Sequence, residues 1–370
     1  MMFLNNDKIS ISQMVSIIIL TIVGSGILTL PRELIEVAGS DGWLILIVGG
    51  LTVIGVSLVH GYIIRSFPGK SFFQILTLTL TKPIAYIVGI YTIVYFIGGT
   101  GYIIRIFAMT VNALLLPQTP PELTGLAVLL ISAYLGRQGI EVLGRMAEFI
   151  IIPLSVVTLA LFMLSWGHAQ PSNLLPVLQT SPFEIIRGIP VVLFSFLGFE
   201  LLLIFGGFID KPKKSTKVGA IAIVMVLLLY QILNASTLVT LGQQQTKELL
   251  WPVINTFKSI ELPGAFIEDV QVVVITLWIV TIFMTIAPFH LGATLLTMEL
   301  AGGKEHSYYA LLPLPFIGVV AAWDTSIADV YESLGTFSDY TVYGVILLVP
   351  LGILISMIIR GRKNKEDKVA

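Results

Sequence analysis

The chain has 370 residues, of which 56% are hydrophobic and only 12% charged, and its mean hydropathy is +0.94. Soluble domains carry about 25% charged residues, so this composition excludes an ordinary soluble protein and indicates a polytopic membrane protein. The net charge of −1 excludes the basic surface typical of nucleic-acid-binding proteins, and the absence of cysteine excludes disulfides, iron–sulfur clusters and thiol catalysis.

Apolar runs of about 20 residues, the length that crosses a bilayer, predict ten transmembrane helices. They cover residues 11–36, 42–65, 82–116, 121–137, 140–166, 182–209, 216–241, 268–300, 307–323 and 338–360. Lysines and arginines concentrate in the loops after the even-numbered spans, which places both termini on the cytoplasmic side. We therefore predict a single integral membrane domain over residues 1–370, ending in a basic cytoplasmic tail at residues 361–370.

The first span contains two glycines and a serine at mid-membrane depth, within the stretch Thr21–Pro31. Gly24 and Gly26 favour a break in the helix, and the backbone groups freed by a break survive in hydrocarbon only where they line a protein-enclosed cavity. Broken helices of this kind form the substrate site of secondary transporters. Gly24, Ser25 and Gly26 are therefore candidate ligand-binding residues, whose N–H groups would meet a ligand carboxylate. The alternative is close packing of helices through small residues.

A second candidate break lies in the sixth span, at Phe194–Glu200. Glu200 lies at a depth where a charge is costly, so it is a candidate ion or proton site. The alternative is a structural hydrogen bond, or an ion pair with a basic residue such as Arg105 in span 3. The candidate ligand-binding residues of this break are Ser195, Leu197 and Gly198.

The two breaks occupy similar places in two halves of the chain, about residues 11–166 and 182–360. Because five spans is an odd number, the second half must be inverted relative to the first, which gives a five-plus-five inverted repeat. Spans 3 and 8 pack around the breaks in this architecture, but hydroxyls there are equally able to bond their own helix backbone. Their candidate residues are Tyr95, Thr100 and Thr285 for a ligand and Thr281 for an ion.

Features typical of enzymes are missing from the sequence. The four histidines are isolated and lack metal-ligand spacing. No nucleophile-elbow motif and no glycine-rich phosphate loop with a lysine occurs. We therefore predict that the chain is not an enzyme and carries no metal or cofactor.

Several stretches carry a resemblance to a known family. Gly24–Pro31 resembles the glycine-rich span 1 of the amino acid–polyamine–organocation superfamily. More specifically, a collinear set of stretches is similar to the B subunits of spore germinant receptors, the spore permease family. These stretches are Lys8–Gln13, Pro31–Glu33, Ala38–Trp43, Phe67–Lys70, Gly139–Glu148, Asn173–Pro176, Phe194–Glu200 and Trp251–Pro252.

The resemblance implies an all-α, leucine-transporter-like fold with broken helices 1 and 6, in the inner membrane of a bacterial endospore with both termini on the core side. It also implies a membrane A subunit and a lipoprotein C subunit as partners. In such a receptor the chain would bind a small germinant, with an amino acid as the expected class, in a mid-membrane pocket and signal to its partners to start germination. Two alternatives are a secondary amino acid transporter of the same fold and a scaffold of the receptor that binds no ligand.

Overall fold

The computed structural model of the chain describes residues 7–258 and 270–366, which fold into fifteen α-helices joined by short loops and 3₁₀ turns. In chain order the helices are α1 (Ile11–Gly26), α2 (Leu30–Ala38), α3 (Gly42–Ser66), α4 (Phe72–Thr79), α5 (Lys82–Leu114), α6 (Pro121–Gln138), α7 (Ile140–Ser165), α8 (Pro182–Ser195), α9 (Leu201–Phe205), α10 (Ser215–Glu248), α11 (Pro252–Lys258), α12 (Val270–Leu300), α13 (Pro313–Ala321), α14 (Ile327–Tyr343) and α15 (Val349–Glu366).

These helices group into the ten predicted spans. Span 1 consists of α1 and α2, span 6 of α8 and α9, and span 10 of α14 and α15 joined by a π-helical turn at Gly344–Leu348. Each of the other seven spans is a single helix: span 2 is α3, span 3 is α5, span 4 is α6, span 5 is α7, span 7 is α10, span 8 is α12 and span 9 is α13. The short helices α4 and α11 lie between spans. Six stretches are long and apolar enough to cross a membrane by themselves, namely 30–66, 82–114, 140–165, 212–248, 270–300 and 327–359.

The first span is broken within the predicted stretch, but one turn beyond the glycines. Helix α1 continues through Gly24 and Gly26, residues 27–29 form a non-helical turn, and α2 begins at Leu30. Pro31 gives the physical reason, because it has no N–H group to donate to the carbonyl of Ile27 and so removes one hydrogen bond of a continuous helix.

The two glycines of α1 allow other helices to pack closely against it. A Cβ atom on Gly24 would lie 2.2 Å from Oγ1 of Thr285 and 2.5 Å from the carbonyl oxygen of Thr281, both on α12. A Cβ atom on Gly26 would lie 2.8 Å from the carbonyl oxygen of Ser195 on α8. Both positions therefore admit only glycine without displacing backbone or a buried hydroxyl.

The sixth span breaks where the sequence predicts. Helix α8 ends at Ser195, and α9 begins at Leu201. Gly198 lies between them with a φ of +125°, a conformation that favours glycine. Pro190 lies inside α8 without ending it.

Span 1 lies at the centre of the bundle. Helix α1 packs against α7, α10 and α12, and α2 packs against α3, α8 and α10. Side chains all around α1 are fully buried, including Met14, Ile17, Ile18, Leu20 and Ile22 at 0% exposure. A helix that is apolar and buried on every side is one that other helices surround.

Candidate functional site

The carbonyl groups near the end of α1 are bonded by side chains from α12. The last four carbonyls of a helix have no partner within it. Trp278 donates its Nε1–H to the carbonyl oxygen of Gly24 at 3.2 Å. One turn earlier, Oγ1 of Thr285 donates to the carbonyl oxygen of Thr21 at 2.8 Å. Span 8 therefore fixes the position of the helix end that precedes the break.

Tyr230 on α10 connects the two broken spans. Its hydroxyl lies 3.0 Å from the carbonyl oxygen of Ile22 on α1 and 3.2 Å from that of Ser195, the last residue of α8. Its ring packs edge-on against Phe196 in the second break, with the ring centroids 5.2 Å apart. One side chain thus holds the end of α8 against span 1.

Glu200 is 1% exposed and bonds within its own break. Its Oε1 accepts a hydrogen bond from the hydroxyl of Tyr95 at 2.6 Å, and its Oε2 accepts one from the N–H of Gly198 at 2.7 Å. Arg105 instead pairs with Glu122 at 3.0 Å, so the considered pairing of Arg105 with Glu200 is wrong. These bonds correspond to the structural alternative for Glu200, and its ion or proton role stays a prediction.

The remaining candidates are buried hydroxyl and apolar residues around the two breaks. Thr100 and Thr281 donate to carbonyls of their own helices, those of Phe96 at 2.6 Å and Trp278 at 2.8 Å. Ser195 and Leu197 are buried, and Ser195 lies against Gly26 of span 1. The side chain of Ser25 lies outside what the structure describes. The structure thus brings both predicted breaks, Tyr95 and the span 8 threonines into one region.

A small cavity of about 20 Å³ lies on the outer side of the first break. Its walls come from spans 1, 3, 8 and 10, and the residues are Leu28, Thr29, Ile103, Ile106, Trp278, Ile282 and Tyr331. Spans 1, 3 and 8 are three of the four around which the sequence predicts a ligand pocket. Sequence reasoning missed these particular residues, because most are apolar side chains in apolar spans and carry no signal of their own.

A wider cavity of about 320 Å³ adjoins the small cavity on its outer side, and another of about 270 Å³ lies between α2, α8 and α14 and reaches Phe194 near the end of α8. Glu33 and Tyr331 line both, and Thr29 lines the outer one as well as the small cavity. Arg32 in the outer cavity is paired with Glu36 at 3.0 Å. We call the cavity of about 320 Å³ the outer vestibule. It presents the carboxyl group of Glu33, while the charge of Arg32 is neutralised by Glu36.

Asp41, in the turn between spans 1 and 2, anchors the long outer loop that follows span 5. Its carboxylate is 1% exposed and accepts hydrogen bonds from the N–H groups of Leu178, Gln179 and Thr180 at 2.6, 2.6 and 2.9 Å. Burial alone raises the pKa of Asp41, but these bonds outweigh burial and lower its pKa below the usual value. Sequence reasoning missed this role, because the partners lie more than 130 residues away.

A separate apolar cavity of about 300 Å³ lies on the opposite side of Trp278, between spans 1, 5, 7 and 8 and α11. Ile27 and Leu28 of the break line it, together with Trp278 and Thr281 of span 8. Thr281 is the predicted site residue that lines this cavity. Over residues 7–258 and 270–366, no group of three histidine or acidic side chains is placed to hold a metal ion.

A solved structure shares this architecture. The crystal structure of MhsT in complex with L-phenylalanine superposes with a TM-score of 0.62 over 94% of this chain and 97% of that chain, at 12% sequence identity. This likeness confirms the predicted leucine-transporter-like fold of ten helices with broken helices 1 and 6.

Relatives with known names match along nearly the whole chain. Spore germination protein YndE of Bacillus subtilis (strain 168) is 27% identical over 367 residues, covering 99% of this chain and 100% of its own length. Spore germination protein A2 of the same strain is 28% identical, covering 98% of each chain. Spore germination protein GerLB of Bacillus cereus is 28% identical, covering 94% of this chain and 93% of its own length.

The family model described as spore germination protein matches residues 8–329, from the segment before α1 into α14. This range includes both breaks, Glu33 and the loop anchored by Asp41. The protein is thus an integral membrane protein that belongs to the spore germination protein family, the spore permeases.

Proposed function

We propose that this chain is the nutrient-sensing membrane subunit of a spore germinant receptor and that it binds a small germinant at the break of span 1. The observation that carries the proposal is the small cavity against Leu28 and Thr29, where non-helical backbone lies inside a membrane bundle and adjoins the outer vestibule. Irregular backbone at this depth is the feature that transporters of this architecture use to bind substrates.

The chemistry of this path fits an amino acid. The N-terminus of α2 faces the break, and Thr29 at its N-cap makes no side-chain cap hydrogen bond there. Pro31 has no N–H group, and the N–H group of Glu33 donates to the carbonyl oxygen of Thr29 at 3.2 Å, so Leu30 and Arg32 are the residues whose N–H groups would meet a ligand carboxylate. Glu33, one turn further along α2, would meet the ligand ammonium group. The related MhsT fold was crystallised with L-phenylalanine, which is also an amino acid.

Binding would act by changing the arrangement of the side chains around the first break. Trp278 and Tyr331 both line the small cavity, which at about 20 Å³ holds little more than a water molecule, so a ligand must separate them to enter. A ligand that fits one arrangement of these walls better than the other shifts the population between them. We propose that a membrane A subunit and a lipoprotein C subunit respond to this shift, in the inner membrane of the spore with both termini on the core side.

The alternative function is a secondary amino acid transporter, and the likeness to MhsT favours it specifically. In that case the same ligand would cross the membrane, with Glu200 or Thr281 as the candidate coupling site. Uptake of a radiolabelled germinant into proteoliposomes distinguishes the two functions, since a sensor binds without accumulating the ligand. A scaffold without binding is the remaining alternative, in which ligand selectivity would follow another subunit.

Germination of spores that carry Glu33→Gln tests the proposed site. Replacing the carboxylate leaves the ligand ammonium group without a charged partner, which costs about 1.5–3 kcal/mol, or roughly 10- to 100-fold in the germinant concentration for a half-maximal response. Glu332→Gln is the control, because Glu332 is exposed on α14 and lines none of the three cavities at the outer side of the break. Equal dose–response curves for both variants and the wild type would contradict the proposed site.

A further inference from the structure

The apolar cavity between spans 1, 5, 7 and 8 opens towards the bilayer rather than towards water. Its volume is about 300 Å³, and of the described residues that line it none is charged. The polar side-chain groups among them are the hydroxyls of Ser155, Thr158 and Thr281 and the indole N–H of Trp278, which already bonds the carbonyl oxygen of Gly24. A cavity with so few hydrogen-bonding groups offers water too few partners, so hydrocarbon is the occupant that its chemistry suits.

The mouth of this cavity lies between α7 and α10. Leu159 on α7 is 53% exposed, and Met225 and Leu228 on α10 are 50% and 60% exposed, although all three line the cavity. These positions fall within spans 5 and 7, where the surroundings of an exposed leucine or methionine are lipid chains. The mouth is therefore continuous with the surface that the acyl chains of the bilayer cover.

The floor of the cavity is the break of span 1. Ile27 and Leu28 lie there beside Trp278, whose indole N–H bonds the carbonyl oxygen of Gly24. Trp278 and Leu28 also line the small cavity on the outer side. The same two side chains thus separate the lipid-facing cavity from the outer vestibule.

We propose that this cavity binds one acyl chain of a membrane lipid, which enters between spans 5 and 7 and ends against Ile27 and Trp278. Exclusion from water contributes nothing to this binding, because lipid chains are already in hydrocarbon. Contact of the chain with a closely fitting wall supplies the selectivity, and the surrounding bilayer supplies acyl chains at high concentration.

A lipid chain in this cavity would also stabilise one arrangement of the span 1 break. A chain that fills the cavity supports Ile27 and Trp278 from behind, so it favours the arrangement of the break that the structure shows. Binding at one site changes binding at the other only through such a difference between two arrangements. The lipid site itself stands without the proposed germinant, because it rests on the cavity and its mouth alone.

Photo-crosslinking in nanodiscs tests the proposal. The full-length protein is reconstituted with a phosphatidylglycerol that carries a diazirine near the end of one acyl chain, irradiated, and analysed by peptide mass spectrometry. We expect labelled residues on the cavity floor, in the α1–α2 turn and around Trp278, in addition to labels on the outer faces of α7 and α10. Labels confined to the outer faces would overturn the proposal.

A pair of variants sharpens the test. Leu159→Trp and Met225→Trp place an indole in the mouth, and we expect them to abolish labelling of the floor while the outer faces stay labelled. Val156→Trp and Val224→Trp are the controls, since these residues are 63% and 43% exposed on the same helices and do not line the cavity. Floor labelling that is unchanged in the mouth variants, or equally reduced in the controls, would refute entry between spans 5 and 7. Intact-mass detection of a bound free apolar molecule without floor crosslinks would refute the lipid as occupant.

Discussion

Replacing Tyr230 by phenylalanine removes a hydroxyl that joins the two broken spans. The ring and its edge-on contact with Phe196 remain, so the perturbation is close to the loss of a single hydrogen-bond donor. The carbonyl of Ser195 is most affected, because it lies at the end of α8 and has no partner further along that helix. The carbonyl of Ile22 lies within α1 and keeps its helical partner.

The expected cost follows from burial. Tyr230 is fully buried, and leaving a buried carbonyl without its donor costs about 1–3 kcal/mol. A central value of about 2 kcal/mol changes the ratio of folded to unfolded protein roughly 30-fold. The germinant response should change as well, since the second break is then held less firmly against span 1.

Unfolding by sodium dodecyl sulfate in mixed micelles measures this cost for Tyr230→Phe. Tyr134→Phe is the control, because Tyr134 is 68% exposed on the lipid-facing side of α6. We expect a lower midpoint for Tyr230→Phe and an unchanged midpoint for the control. Identical midpoints for Tyr230→Phe and the wild type would refute the reasoning, since the carbonyl of Ser195 would then have another adequate partner.

Three further predictions concern the anchor, the second break and the glycines. Asp41→Asn should destabilise the protein by about 2–3 kcal/mol at neutral pH. Because the folded pKa of Asp41 is lowered, its stabilisation is present above its unfolded pKa of about 4 and is lost as the pH falls through the folded pKa. The unfolding midpoints of variant and wild type should therefore converge at low pH, and a difference independent of pH would contradict this. Glu200→Gln should fold, because an amide can bond both the hydroxyl of Tyr95 and the N–H of Gly198. Glu200→Ala should lower the free energy of unfolding by more than about 2 kcal/mol, and wild-type stability of this variant would refute the structural role of Glu200. Gly24→Ala should lower the midpoint of thermal unfolding, because the added Cβ would lie 2.2 Å from Oγ1 of Thr285. Gly55→Ala on α3 should not lower it, since no atom lies within 4 Å of an added Cβ there. Equal midpoints for the two variants would show that α12 moves at little energetic cost.

The number of spans and the place of the breaks could be predicted because local chemistry decides both. Apolar length sets the spans, and the predicted limits 82–116, 121–137 and 140–166 differ by at most two residues from α5, α6 and α7. Pro31 and Gly198 act on their own backbone, so the sequence carries the breaks directly. The first break nevertheless lies beyond Gly24 and Gly26, since these glycines serve the approach of α12 and α8.

The contacts that hold the site together could not be predicted from the sequence. Trp278 bonds Gly24 across 254 positions of the chain, and Tyr230 bonds Ile22 across 208. Nothing near Asp41 marks the loop that it anchors 137 positions away. Glu200 shows the same limit, since its depth indicates a special role but only the fold shows that Tyr95 bonds it and Arg105 does not.

The central claim is that a small germinant binds at the span 1 break, between spans 1, 3 and 8. Ligand-dependent thermal stabilisation of the purified protein tests it most directly, with amino acids, sugars, nucleosides and salts as probes. A ligand at 100 times its Kd stabilises the folded state by about 2.7 kcal/mol. We predict selective stabilisation by an amino acid that is lost in Ile106→Trp, which fills the small cavity, and kept in Ile87→Trp, which faces lipid on the same helix. Stabilisation that survives Ile106→Trp, or none with any probe, would contradict binding at this break.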